Sequence, residues 1–147
     1  MRHARGKAAS FAASHPDHLI IGSDQVVVCN DRILGKPGTP ERAVEQLALM
    51  GGRTSRLITA VHITHPVSGR SEEFWDEHRL SVRQLPRERL ARYVAADNPL
   101  WCAGSFKLEQ RGIALFERIE GGDYTGIIGL PLMGTAAALE RFGWEVP

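Results

Sequence analysis

At 147 residues, 43% hydrophobic and 24% charged, the chain suits one globular domain with a real core. A formal net charge of +1 argues against a protein that lives on nucleic acid, because phosphate-backbone binding needs a concentrated basic face. No apolar run is long enough to cross a bilayer, and no signal-peptide pattern opens the sequence, which points to the cytoplasm.

In chain order, the Ala-rich stretch from Arg2 to Ser14 predicts a helix, stopped by Pro16. Leu19-Ile20-Ile21 breaks at Gly22-Ser23, and Val26-Val27-Val28 follows, so a short buried strand is expected here. Asn30-Asp31 makes a hairpin-like turn into Ile33-Leu34. Thr39-Pro40-Glu41 has the form of a helix start, with Ala43, Val44, Leu47 and Met50 inward and Gly51-Gly52 as the stop. Leu57 to His65 and Ser71 to Leu85 read as an antiparallel pair around a turn at Pro66 to Arg70. Pro86 to Ala96 predicts a helix burying Leu90, Tyr93 and Val94.

After Asn98-Pro99, the segment from Leu100 to Glu109 reads as extended, with Lys107 and Glu109 alternating onto one side and Gly104 allowing close backbone approach. Ile113 to Ile119 is expected as a strand, and Glu120 to Gly126 as a glycine-rich turn. Leu132 to Phe142 is the last helix, opened by Pro131 and closed by Gly143. The fold class is α/β, one domain over residues 1–147, without repeats or linkers.

Asp24 and Gln25 are polar groups lodged in an apolar strand. Burying a carboxylate is costly unless a metal, a lysine or a substrate answers it. The plainer reading is an Asx-type turn or a cap at the strand end. Of the 18 Lys+Arg only Lys7, Lys36 and Lys107 are lysines, so each of these positions keeps a compact ammonium where arginine is the rule. Lys36 sits in a Gly-Lys-Pro turn that can return it to the end of the sheet that carries Asp24. Two carboxylates, Asp24 and Glu109, with three lysines could hold a metal–polyphosphate, since Mg²⁺-type cations take one or two carboxylates and leave the rest to water and phosphate. Solvated surface charge is the competing reading.

His62 and His65 fall on opposite faces of a strand and cannot easily share a metal. His15 and His18 flank Pro16 and read as exposed. Cys29 and Cys102 lack metal-type spacing and read as reduced thiols in or near the core. Trp101 and Phe106 read as core, with base stacking as the alternative in a nucleotide site.

GSDQVVV, the ILGKP turn, the helix closing in GGRT, CAGSFKLEQRGIALFERIEG and DYTGIIGLPL together resemble the Maf nucleotide pyrophosphatases, and within them the YceF-like members. The resemblance implies an elongated mixed β-sheet with flanking helices and a central cleft, like that of the inosine-triphosphatase-like enzymes. It implies hydrolysis of a nucleoside triphosphate to the monophosphate and pyrophosphate with a divalent metal (Mg or Mn). Asp24 would then be the catalytic, metal-binding carboxylate. Lys7, Lys36 and Lys107 would bind phosphate, and Gln25 and Glu109 would set base specificity. That pairing resembles the members that prefer 7-methyl-GTP. A methylated guanine is cationic and presents N–H donors, so a carboxylate and an aromatic face both suit it.

Family members usually begin with a strand and a Ser-x-Ser-x-Arg-Arg loop ahead of the first helix. The expectation is therefore an N-terminally truncated chain, less stable and slower in hydrolysis than its relatives. The competing function is a catalytically weak nucleotide-binding protein with a regulatory role, for instance in cell division; RNA binding is disfavoured by the near-neutral charge. Exposed aromatic residues near the C-terminal strands would permit a homodimer.

Overall fold

The computed structural model describes residues 1–146. Helix α1 covers Arg2–Ala12, and strand β1 Ile20–Cys29 is followed by β2 Arg32–Leu34. Helix α2 is Pro40–Met50, β3 Thr54–His65, β4 Arg70–Val82 and α3 Arg87–Asp97. Strand β5 Phe116–Gly121, a short helix α4 Tyr124–Ile128 and α5 Leu132–Arg141 complete the chain. The five strands form one sheet in the order β2-β1-β3-β4-β5. β2 runs antiparallel to β1, pairing Val28 with Ile33, and β5 antiparallel to β4, pairing Leu80 with Ile119.

Local chemistry explains most of these elements. Asn30 and Asp31 both take positive φ, +48° and +58°, as a two-residue hairpin loop requires. Thr39 caps α2, its Oγ1 accepting from Arg42 N at 3.3 Å, with Pro40 at the first helical position. Asn98, at φ +46°, ends α3 in the left-handed region, and Pro99 prevents any continuation. Among the described residues no helix is long and apolar enough to cross a membrane.

The chain packs as two compact units. The first comprises 1–25, 59–76 and the described part from Gly122 onward; the second comprises 26–58 and 77–121. In the first unit Val61, Ile63 and Ala138 are fully buried, with Leu19, Phe74, Leu130 and Phe142 packed around them. In the second, Val27, Leu47, Met50, Leu57 and Leu80 are buried, and Phe106 meets Phe116 edge to face at 5.0 Å. Burial of side chains of this size is worth about 1.5–3 kcal/mol each.

Two expectations fail for local reasons. The strand expected over Ile113 to Ile119 is a tight helical turn, Arg111–Leu115, followed by a strand that starts only at Phe116. Gly112 forces the turn: its N–H bonds to Lys107 O, and a Cβ there would lie 2.2 Å from that oxygen. The glycine-rich turn expected over Glu120 to Gly126 instead contains the end of β5 and the start of α4. Asp123 caps that helix, accepting from Thr125 N at 3.0 Å.

Candidate functional site

Strand alternation puts Gly22 and Asp24 on one face of β1, and Ser23 and Gln25 on the other. The Gly22 face is covered by α1 at very short range. A Cβ on Gly22 would lie 2.2 Å from Ala4 O and 2.8 Å from Ala8 N, and Ala4 and Ala8 are themselves fully buried. Small residues on both sides allow the helix to lie directly on the strand. That approach delivers Lys7, whose Nζ sits 2.8 Å from Asp24 Oδ1 and donates to Ser23 O at 2.7 Å. The polar strand position is thus answered by a lysine of the same unit. With the Lys7 side chain 57% exposed, the pair contributes at most about 1 kcal/mol to stability. Its importance lies in where it puts charge. Asp24 Oδ2 makes no hydrogen bond among the described residues, so one carboxylate oxygen remains for a water proton or a cation.

The opposite face of β1 holds α4. Ser23 Oγ donates to Gly129 O at 2.5 Å. Gln25 Nε2 lies 2.9 Å from Thr59 Oγ1, 3.0 Å from Gly126 O and 2.9 Å from Ile127 O, and Thr59 Oγ1 donates to Gly126 O at 2.7 Å. Two amide hydrogens serve three acceptors, so the nitrogen end of Gln25 is fully engaged by its own chain. Only Oε1 is left for a ligand. The buried Asp123 carboxylate also accepts from Met133 N at 2.7 Å, which ties α4 to the first turn of α5.

The second unit carries Lys36, Lys107 and Glu109. Lys36 is exposed in the turn after β2 and lines a cavity of about 370 Å³ with Pro37, Arg42, Glu45, Gln46 and Leu49. Lys107 and Glu109 do not alternate along an extended segment as the sequence suggests. Ala103–Ser105 is a tight helical turn, and residues 108–110 lie in a turn. Gly104 takes φ +71° there, where a Cβ would meet Val27 Cγ2 at 2.7 Å, so the close approach expected of it is real. Lys107 Nζ donates to Asp97 O at 2.8 Å, serving a carbonyl at the C-terminus of α3, and Lys107 N donates to Tyr93 Oη at 2.9 Å. The Asp97 carboxylate accepts from Arg111 N and Arg111 Nη1, both at 2.9 Å.

Burial pushes the Cys102 thiol up from its ordinary range. Lys107 and Lys36 oppose the shift and Glu109 adds to it, so the fields of all three residues reach this one sulfur. Burial likewise pushes the Tyr93 phenol up. Phe106 is buried at 6% exposure, as expected, but Trp101 is 72% exposed rather than core. Cys29 is buried.

Among the described residues no three His, Cys, Asp or Glu side chains converge on a point that could hold a metal. A single carboxylate with one open oxygen still fits a Mg²⁺-type cation that takes its remaining ligands from water and phosphate.

Reasoning from the sequence missed four contributors: Thr59, Gln46, Asp97 and the α4 backbone. The Ala4–Ala8 spacing opposite Gly22 was the available signal for the Lys7–Asp24 pair; the α4 contacts depend on tertiary packing and had none.

The family described as Maf-like protein matches residues 1–142, and the chain belongs to it. A 7-methyl-GTP pyrophosphatase of Pseudomonas putida is 45% identical over 146 residues, covering 99% of this chain and 76% of the relative. One of Alkalilimnicola ehrlichii is 47% identical over 133 residues, covering 90% and 67%. One of Alcanivorax borkumensis is 41% identical over 147 residues, covering 100% and 75%.

Proposed function

We propose that this chain is a nucleoside triphosphate pyrophosphatase that acts on 7-methyl-GTP with the help of a divalent cation. The observation that carries the reading is the Asp24 carboxylate, seated on β1 with Lys7 at one oxygen and the other oxygen open. Family membership and the names of the relatives support it.

In this reading water attacks the triphosphate, the anhydride bond between the α and β phosphates breaks, and pyrophosphate leaves. Asp24 takes the proton from the attacking water through its free oxygen. Lys7 fixes the carboxylate and supplies positive charge beside it. When bound, a cation held by Asp24 and the phosphate oxygens would neutralise charge building up on the leaving group. Lys36 is exposed and binds phosphate. Lys107 gives one of its three ammonium donors to Asp97 O and keeps the others for phosphate. Glu109, exposed, accepts N–H donors of the cationic base, and Trp101 offers an aromatic face. Gln25 contributes through Oε1, since its nitrogen is engaged.

The test is a panel of 7-methyl-GTP, GTP, dTTP and UTP with Mg²⁺ or Mn²⁺, scored for pyrophosphate and repeated with a chelator. The reading expects 7-methyl-GTP to give the highest kcat/KM and the chelator to stop turnover. Release of orthophosphate alone, or no pyrophosphate from any member, contradicts it.

A further inference from the structure

Gln46, on the inner turn of α2, uses both ends of its side chain on two separate loops. Its Nε2 donates to Gly35 O at 3.2 Å, immediately before Lys36. Its Oε1 accepts from Ser105 Oγ at 2.6 Å, two residues before Lys107. A third bond joins the same loops directly, Gly38 N to Leu100 O at 3.0 Å. Ser105 is fully buried and holds φ +64°, a conformation that costs a non-glycine residue on the order of 1 kcal/mol and persists only when its surroundings impose it. The loop beside it cannot relax easily either, because Gly104 lies against Val27.

These are the loops that carry Lys36, Lys107 and Glu109, and a rigid capped helix supplies the residue that spaces them. We propose that Gln46 is a positioning residue for phosphate binding: it fixes the Lys36 turn against the segment of Lys107, with Ser105 as its partner. The proposal rests on the phosphate-binding role given above to Lys36. A glutamine is suited to the task because one planar amide offers a donor and an acceptor at opposite corners. A methionine fills the same volume and offers neither.

Lys36 meets phosphate in the ground state as well as in the transition state, so loosening it raises KM and leaves kcat nearly unchanged. Gln46→Met is expected to weaken binding of inorganic pyrophosphate, measured by calorimetry with Mg²⁺ present, by about tenfold. Turnover of 7-methyl-GTP should show a matching rise in KM, with kcat within about twofold. Ser105→Ala, which removes one of the two bonds to the Gln46 side chain, should give a smaller loss in the same direction. The deciding measurement is the double variant: in a Lys36→Ala background, Gln46→Met should add less than about twofold, because the two act through one contact.

Losses that multiply independently, or pyrophosphate binding by Gln46→Met equal to that of the unmodified protein, overturn the proposal. If Lys36→Ala itself binds pyrophosphate normally, the phosphate reading of Lys36 fails and the proposal goes with it. Normal binding by Gln46→Met beside weak binding by Lys36→Ala removes this proposal alone.

Discussion

Gly22→Ala tests the packing that creates the Lys7–Asp24 pair. The added Cβ would stand 2.2 Å from Ala4 O and 2.8 Å from Ala8 N, both backbone atoms of a helix that cannot rotate out of the way. To reach an ordinary contact, α1 must retreat from β1 by roughly 1 Å. Overpacking of this kind costs roughly 1–3 kcal/mol, with rigid backbone favouring the upper end. For a chain of this length that is a fall in Tm of roughly 3–10 °C. Gly6 supplies the control, since it lies in the same helix and a Cβ there meets nothing within 4 Å. Gly6→Ala should stabilise the protein by up to about 1 kcal/mol, from helix propensity alone. Thermal melts followed by circular dichroism compare the two. If Gly22→Ala melts within about 1 °C of the unmodified protein, or if both substitutions move Tm the same way, the close-packed account of α1 on β1 is wrong.

Three further outcomes follow from the contacts above. Gln25→Leu takes the donor from the carbonyl of Ile127, while Gly126 O keeps its bond from Thr59, and should cost about 1–3 kcal/mol, read as a lower urea midpoint at unchanged slope. The hydrogen bond from Arg5 holds the Glu73 carboxyl down to about 2 against the opposing effect of burial, helped by the charge of Arg5 and by His62. A depressed carboxylate contributes stability that is complete above its ordinary range near 4.5 and is lost as pH falls through about 2. Glu73→Gln should therefore lower stability at neutral pH and flatten the acid limb, with the gap between the two proteins closing as pH falls through about 2. Cys102, pushed up by burial, should alkylate with iodoacetamide more slowly at pH 8 than a model thiol, and its rate should climb at higher pH than that of the model.

Much of the fold was legible because single residues carried strong local signals. Thr39-Pro40 announced α2, and Asn30-Asp31 the hairpin. The failures cluster where a backbone contact outweighs pattern. Gly112 sits against Lys107 O and breaks the expected strand, and Asp123 starts a helix inside a run that composition marks as turn. Trp101 defeated a rule of thumb about aromatic residues by facing solvent.

At the candidate site the sequence pointed to Asp24 and to a metal, a lysine or a substrate that must answer it. It could not say that Lys7 does so, because that depends on how closely α1 lies on β1. Nor could it show that Gln25 spends its amide nitrogen on α4 or that Lys107 spends a donor on α3, since both bonds depend on how separate elements pack.

The central claim is that Asp24 takes the proton in hydrolysis, and Asp24→Asn tests it most directly. The amide keeps the shape of the carboxylate, and the exposed Lys7 loses little by its change of partner. Pyrophosphate release from 7-methyl-GTP is measured at saturating substrate, together with Tm. The account predicts a fall in kcat of about 10²–10⁴ with the fold intact. Release within about threefold of the unmodified protein would contradict it.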